Sequence, residues 1–245
     1  MRVIGVIPSR YASTRFPGKG LADICGKPMI WWVYQSVRKA KGLDDIVIAI
    51  DHEKTREACE KYNMPYVMTS DCLPEHISRI WEVSESIPAD YYICINGDEP
   101  LIEADAISTV IPKEIHTEPV FFGAMRTLTD PAETIDFSNI KLAVTREGRC
   151  VYMSRTPIPY PRGTLFINYK KYIGIECFNK AALDFFTHTP MGVLEKAEDI
   201  DHLRFIENKV DLFFNDVHSE SLSVDTPKDL EKVIDIIKSR DALKE

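Results

Sequence analysis

The stretch VIGVIPSRYASTRFPGKG (residues 3–20) sets an apolar run directly against a basic loop that ends among glycines. Residues 3–7 predict a short strand that stops at Pro8. The loop after it carries Arg10, Arg15 and Lys19, with Gly18 and Gly20 on either side of the lysine and the hydroxyls of Ser13 and Thr14 nearby. In an open α/β sheet, ligands bind outside the carboxyl ends of the strands, which is where this loop falls. Clustered cations and exposed backbone N–H groups suit a polyphosphate. The GxxxxGK[ST] pattern of a Walker A loop is absent. A solvated basic loop on an acidic protein has the same composition, so the loop by itself leaves both readings standing.

Outward from this loop, apolar runs at 46–50, 66–68, 91–95 and 120–125 predict further strands. Residues 46–50 are all apolar, as in a strand buried on both faces. Between the runs, residues 28–38, 53–62, 76–86 and 104–111 carry helical patterns, with Ile30, Val33, Tyr34 and Val37 on one face of the first. Alternation at this spacing predicts βαβ units, right-handed crossovers and a mostly parallel sheet. Past residue 125 the pattern loosens. Residues 141–145, 150–153 and 172–178 predict strands joined by turns, which makes the sheet mixed. Helices follow at 180–187 and 197–208, then a strand at 211–214. A closing helix at 227–239 has Pro227 in its first turn, where a missing N–H costs little. No repeat, linker or low-complexity segment interrupts the 245 residues, and one domain, 1–245, is the simplest account.

Composition narrows the classes. A net charge of −8 argues against non-specific nucleic-acid binding while allowing a local basic pocket. No apolar run approaches the ~20 residues that cross a bilayer, and the N-terminus lacks the pattern of a signal peptide. The six cysteines are scattered, with neither a CxxC pair nor zinc-like spacing. A reducing, cytoplasmic setting fits that usage.

Several motifs, in order, carry a resemblance over nearly the whole chain. PSRYASTRFPGK (8–19) with GKPMI (26–30), IAIDHE (48–53), INGDEP (95–100), FSNIKLAVTREGRCVYMSRTPIPYPR (137–162), LEKAEDIDHLR (194–204) and VDTPKDLEKV (224–233) stand where the family pattern has its own versions. By these the chain resembles the bacterial 3-deoxy-manno-octulosonate (Kdo) cytidylyltransferases, and more distantly the CMP-sialic acid synthetases. The resemblance implies a three-layer α/β/α nucleotide-diphospho-sugar transferase fold with a mostly parallel mixed central sheet, CTP as donor, Mg²⁺ as cofactor and a homodimer. Residues 150–178 would contribute dimer and acceptor-site elements. Arg10, Arg15 and Lys19 would grip the triphosphate, backbone groups around Pro8 and Ala12 would seat cytosine, and Arg79 would lie on the nucleotide side.

Asp98, after the strand at 91–95, and Asp225, before the last helix, are the expected metal ligands. Two carboxylates at strand ends can hold Mg²⁺ against substrate phosphates. With Arg15 and Lys19 they form the expected catalytic set. An Asp before Thr226–Pro227 also suits a helix cap. No residue stands out as a dedicated general base, so loss of the acceptor proton to solvent is the default. The transfer is then an in-line displacement resting on positioning and charge neutralisation.

The departures from the family pattern gather on the acceptor side. Asn96 stands where the family has Gln. PEHISR (74–79) keeps Arg79 but puts Glu75 and His76 in place of Ser-Gly. In YIGIECF (172–178) Tyr172 replaces His and Glu176 replaces Tyr, and His202 replaces Gln. By family position, Asn96, Tyr172, Glu176, Asp201 and His202 face the sugar acid. A carboxylate at 176 would repel an acidic group and favour an amine, hydroxyl or cation; alternatively it pairs with Arg155 or Lys141. Arg155 and Arg162 would take an acceptor carboxylate or phosphate. The shorter 163–171 connection predicts a more open pocket. Trp31 and Trp32 read as core and dimer packing, and His52 as structural. The expected acceptor is Kdo or a modified, for instance amino-substituted, analogue. CMP transfer to a phosphate or phosphonate, and a regulator that has lost catalysis, are the competing readings.

Overall fold

A computed structural model of the chain describes residues 1–12, 16–73, 75–164 and 167–242. Short apolar runs become strands because each is buried on both sides. β1 (Val3–Ser9), β4 (Asp45–Ile50) and β6 (Tyr91–Ile95) are almost wholly covered. Between β1 and β4 lie a 3-10 turn (Lys19–Leu21), a small hairpin of β2 (Asp23–Ile24) and β3 (Lys27–Pro28), and helix α1 (Met29–Val37). α2 (Glu53–Lys61), β5 (Tyr66–Met68), α3 (His76–Ser86) and α4 (Ala104–Ser108) follow the same alternation. The second half contributes β7 (Phe121–Thr127), α5 (Pro131–Ile135), β8 (Lys141–Val144), β9 (Cys150–Ser154), β10 (Lys170–Asn179), α6 (Lys180–His188), α7 (Val193–Glu198), α8 (Leu203–Glu207), β11 (Leu212–Asp216) and α9 (Pro227–Ala242).

The sheet runs β11-β7-β10-β6-β1-β4-β5, with β8 pairing β10 and β9 pairing β8. β1 pairs in parallel with β4 on one edge and with β6 on the other. β10 is antiparallel to both β6 and β7, which makes the sheet mixed. Side-chain alternation splits the core into two layers. Ile4, Val6, Tyr92 and Cys94 pack under α3, α6 and α8, while Val3, Ile7, Tyr91 and Ile93 pack under α1, α2 and α4. The point where strands leave β1 in both directions is where α/β sheets open a crevice. The loops after β1 and β6 meet there.

Two expectations are corrected. The predicted helix at 197–208 is broken: α7 ends at Glu198, Asp199 takes a left-handed φ of 53°, and α8 restarts at Leu203. The intervening residues carry Asp201 and His202 to the crevice. The closing helix extends past residue 239 to Ala242. A third apolar cluster of Ile24, Met29, Leu101, Val224, Val233 and Ile237 docks α9 against the hairpin and α1. That packing brings Val224, and hence Asp225, beside the first loop.

Candidate active site

Lys19, Asp98 and Asp225 come from three distant parts of the chain and meet at one point. The Lys19 Nζ lies 2.5 Å from Asp98 Oδ2 and 3.4 Å from Asp225 Oδ1. The loop that presents Lys19 is closed by the Gly18 N–H donating to the Tyr11 carbonyl at 2.8 Å. Gly18 holds φ at 68°, a left-handed conformation that glycine adopts without strain. The two acidic loops are stapled together: the Val224 N–H donates to the Asp98 carbonyl at 2.8 Å. The α9 cap belongs to Thr226 and Asp229, which exchange hydrogen bonds of 2.7–3.4 Å. These bonds put the α9 cap at Thr226 and leave Asp225 Oδ1 beside Lys19.

Burial would lower the Lys19 pKa, but Asp98 and then Asp225 outweigh it and raise it, so the lysine stays charged. Asp98 Oδ1 is buried with no hydrogen-bond partner among the described residues. Two carboxylates aimed at one cationic point, one with an unsatisfied buried oxygen, form the hard oxygen donor set that a divalent ion of the Mg²⁺ kind takes.

Beside the first loop a cavity of about 510 Å³ is lined by Pro8, Ser9, Arg10, Lys19, Arg79, Asn96 and Asp98 among others. Arg79 is buried. It donates to Asp51 Oδ2 at 3.1 Å and to Thr69 Oγ1, while Asp51 Oδ1 accepts from the Tyr11 N–H at 2.9 Å. Burial lowers its pKa, with Asp51 opposing and the Arg10 charge adding. Arg79 therefore braces the loop from behind. His52 is structural, as expected: its Nδ1 accepts from the Lys54 N–H at 3.1 Å, capping α2, and its ring stacks on Tyr11 at 3.9 Å. Ala12 is exposed on the same loop. Arg15, with Ser13 and Thr14, lies outside the described residues.

A second cavity of about 760 Å³ adjoins the first and shares His76, Asn96, Asp98, Asp199 and Asp201 with it. Asn96 is held by its N–H donating to the Gly174 carbonyl at 2.9 Å. A Cβ on Gly174 would fall 2.3 Å from Asn96 Nδ2, so no other residue fits this approach without displacing Asn96. Glu99 accepts from the Gly174 N–H (3.1 Å) and the Ser221 hydroxyl (2.7 Å), tying the loop after β6 to both neighbours.

The structure corrects both readings of Glu176. It is completely buried, so it does not face the acceptor, and it pairs with neither Arg155 nor Lys141. It lies on the face of β10 that also carries Tyr172 and Phe178, opposite Cys94 of β6, and α3 and α8 cover that face. Its Oε1 lies 2.7 Å from His202 Nε2 and accepts from the Tyr172 hydroxyl; its Oε2 lies 3.0 Å from His76 Nε2. Lys141, also buried, donates to the Asp136, Asn139 and Arg155 carbonyls. Arg155 lines the second cavity, but its guanidinium closes the C-terminus of α7. It donates to the Glu198 carbonyl (2.6 Å), the Asp199 carbonyl (2.7 Å) and the Phe137 carbonyl (3.3 Å).

Among the cations lining this cavity is Lys171, which the sequence reading missed. Its ammonium has no hydrogen-bond or ion-pair partner among the described residues, and it lines the cavity beside Arg126. Burial, then the Arg126 charge, lowers its pKa. A lysine at the start of a strand reads as a solvated end, so only the packing around it could have revealed it.

Burial would raise the Glu176 pKa, yet His76 and then His202 overcome it and hold it far below the ordinary carboxylate range. Its stabilisation is present above the ordinary value of 4.5 and is lost as pH falls below it. His76 runs the other way. Burial would discharge it, but Glu176 and Asp201 raise its pKa well above 6.5, so its contribution is complete below 6.5 and is lost only as pH rises through the raised value. We therefore expect the stability lost on His76→Gln to be constant between pH 4.5 and 6.5 and to shrink in stronger acid, as read by urea unfolding.

The chain is similar to known nucleotidyltransferases over nearly its whole length. A family model described as Cytidylyltransferase matches residues 4–238. A 3-deoxy-manno-octulosonate cytidylyltransferase of Leptospira interrogans serovar Lai is 37% identical over 242 residues, covering 98% of this chain and 97% of its own. The mitochondrial protein of that name from Arabidopsis thaliana is 34% identical, covering 98% and 84%. A solved structure of CMP:2-keto-3-deoxy-manno-octonic acid synthetase complexed with CTP aligns with a TM-score of 0.90 at 30% identity, covering 98% of this chain and 100% of that one. An inositol-1-phosphate CTP transferase from T. maritima, at 17% identity and a TM-score of 0.69, shares the fold.

Proposed function

This chain belongs to the cytidylyltransferase family, and from that premise we propose that it transfers CMP from CTP to a hydroxyl of a 2-keto sugar acid, Kdo or a modified analogue, releasing pyrophosphate. The observation that carries the reading is the meeting of Lys19, Asp98 and Asp225 where the two cavities join. Arg10 and Lys19 face the first cavity, where they bind triphosphate oxygens, and the Arg79–Asp51–Tyr11 brace holds their loop in place. Asp98 and Asp225 would hold Mg²⁺; bound there, it supplies charge neutralisation to the triphosphate. The acceptor oxygen forms a bond to the α-phosphorus in line with the bond to the β-phosphate oxygen, which breaks. The hydroxyl proton leaves to solvent. Positioning and electrostatics supply most of the acceleration.

In the second cavity Lys171, with Arg126 beside it, receives the acceptor carboxylate. A half-buried ammonium without a partner is costly, and an anionic ligand offsets that cost. The protein works as a Mg²⁺-dependent cytoplasmic homodimer. Among the described residues no helix is long and apolar enough to cross a membrane. The exposed Val151 and Tyr160, within 150–178, supply apolar surface for a second copy.

The test is a pyrophosphate-release screen with CTP and Mg²⁺ across sugar acids, amino sugar acids and phosphonates. Release is expected with 2-keto sugar acids, and Lys171→Met should raise the acceptor KM about tenfold while leaving the CTP KM nearly unchanged. Release only with phosphonates, or none with any acceptor, rejects the assignment.

A further inference from the structure

His76, the first residue of α3, sits where the two cavities meet. Its Nε2 lies 3.0 Å from Glu176 Oε2 and its Nδ1 lies 3.2 Å from Asp201 Oδ2. An ionised carboxylate only accepts hydrogen bonds. A carboxylate oxygen close to each nitrogen favours the imidazolium, the one form in which both ring nitrogens can donate. Glu176 cannot move to release it, because Tyr172 and His202 occupy its other oxygen and it is wholly buried. The Cys94 thiol also faces it. The same residues stand where the resemblance expects Ser-Gly, Tyr, His and Gln. Their joint departure becomes intelligible as one hydrogen-bonded unit.

We propose that this locked imidazolium positions Asp201 as an acceptor-binding carboxylate, so that the far end of the sugar acid must present a hydrogen-bond donor, a hydroxyl or an ammonium. The proposal rests on the transfer reaction above. One oxygen of Asp201 is taken by His76. The other, Oδ1, has no hydrogen-bond partner among the described residues, and the side chain is 25% exposed at the cavity junction. An ion pair to a ring fixed on its far side leaves Asp201 little rotational freedom, which is the preorganisation a specific contact needs. Polarity then orients the acceptor: its carboxylate toward Lys171 and Arg126, its donor end toward Asp201. Glu176, singled out in the sequence as a determinant of the acceptor, acts through His76 and touches no ligand.

One alternative use of these atoms is a metal centre, because donor atoms of His76, Glu176 and His202 lie within 4.8 Å of one another. The hydrogen-bonded imidazolium and a metal at Nε2 exclude each other, so one experiment separates them. The full chain, labelled with ¹⁵N-histidine, is observed by long-range ¹H–¹⁵N correlation from about pH 6 to about pH 8, with His76→Gln assigning the signal. Two protonated ring nitrogens throughout are expected. In Glu176→Gln, His76 should titrate within this range. In kinetics, His76→Gln and Asp201→Asn should each raise the acceptor KM about tenfold with the CTP KM within about twofold, as expected for loss of one charge-assisted hydrogen bond. His76→Gln removes a half-exposed ring, so the test survives if Glu176→Gln fails to fold. Comparing hydroxyl- and amino-terminated sugar acids shows which donor Asp201 selects: the preferred one loses more in Asp201→Asn. A wild-type His76 that is neutral at pH 7, a bound metal at unit stoichiometry, or unchanged acceptor KM in both variants overturns the proposal. The NMR reading does not depend on turnover, so failure of the lock and failure of the transfer reaction are told apart.

Discussion

Asp98→Asn is expected to lower kcat by about 10³-fold, or about 4 kcal/mol of barrier, with little change in stability. The substitution keeps the shape of the side chain and removes its charge. Lys19 then pairs with Asp225 alone, and the donor set for a divalent ion loses one of its two carboxylates. The loop should keep its position, because the contact that staples it to the α9 approach is the Asp98 carbonyl accepting from the Val224 N–H, a backbone bond the variant retains. The check is single-turnover pyrophosphate release beside thermal unfolding followed by circular dichroism. Half of wild-type activity in the variant would remove Asp98 from the reaction. A large fall in Tm would instead mean that the carboxylate supports the fold.

Arg204→Ala should produce the largest loss of stability, about 3–5 kcal/mol, because it strands a buried carboxylate. Arg204 and Glu195 are 5% and 2% exposed. The Nε and one terminal nitrogen of Arg204 reach the two Glu195 oxygens at 2.7 and 2.5 Å, and the other donates to the Phe186 and Thr189 carbonyls at 3.0 and 3.3 Å. The guanidinium also lies 3.8 Å from the Phe186 ring centre. Burial would lower the Arg204 pKa; Glu195 outweighs it and raises it. Truncation therefore leaves Glu195 without its partner and two carbonyls without their donor. Urea unfolding should show the loss, and the double variant Arg204→Met with Glu195→Leu should recover at least half of it, since an apolar pair removes the uncompensated charge. Failure of the double variant to recover would assign the loss to the carbonyl contacts and to Glu75, whose Oε1 lies 3.4 Å from the guanidinium. The consequence reaches the site as well, because this pair holds α7 and α8 together around the turn that presents Asp201 and His202.

Local chemistry and periodicity sufficed for much of this protein. The apolar runs at β1, β4 and β6 and the 3.6-residue pattern of α1 announce themselves, since burial on both faces and on one face leave different marks in a chain. The family was legible too, through motif order. Packing decided the rest. Asp225 comes to lie beside Lys19 because Thr226 takes the cap and Val224 is pulled into the cluster around Ile24 and Val233. Glu176 read as a ligand-facing carboxylate from its family position, while His76 of α3 and His202 before α8, both far along the chain, close over it and take its oxygens. Arg155 commits its guanidinium to carbonyls while Lys171, which the sequence did not single out, faces the cavity, for a similar reason. A cation's role depends on which acceptors surround it, and those of Arg155 come from α7 and from loops far away along the chain. Residue type and spacing thus determined the fold class and the nucleotide chemistry of this protein. Long-range contacts decided which charges are spent on each other and which still face a ligand.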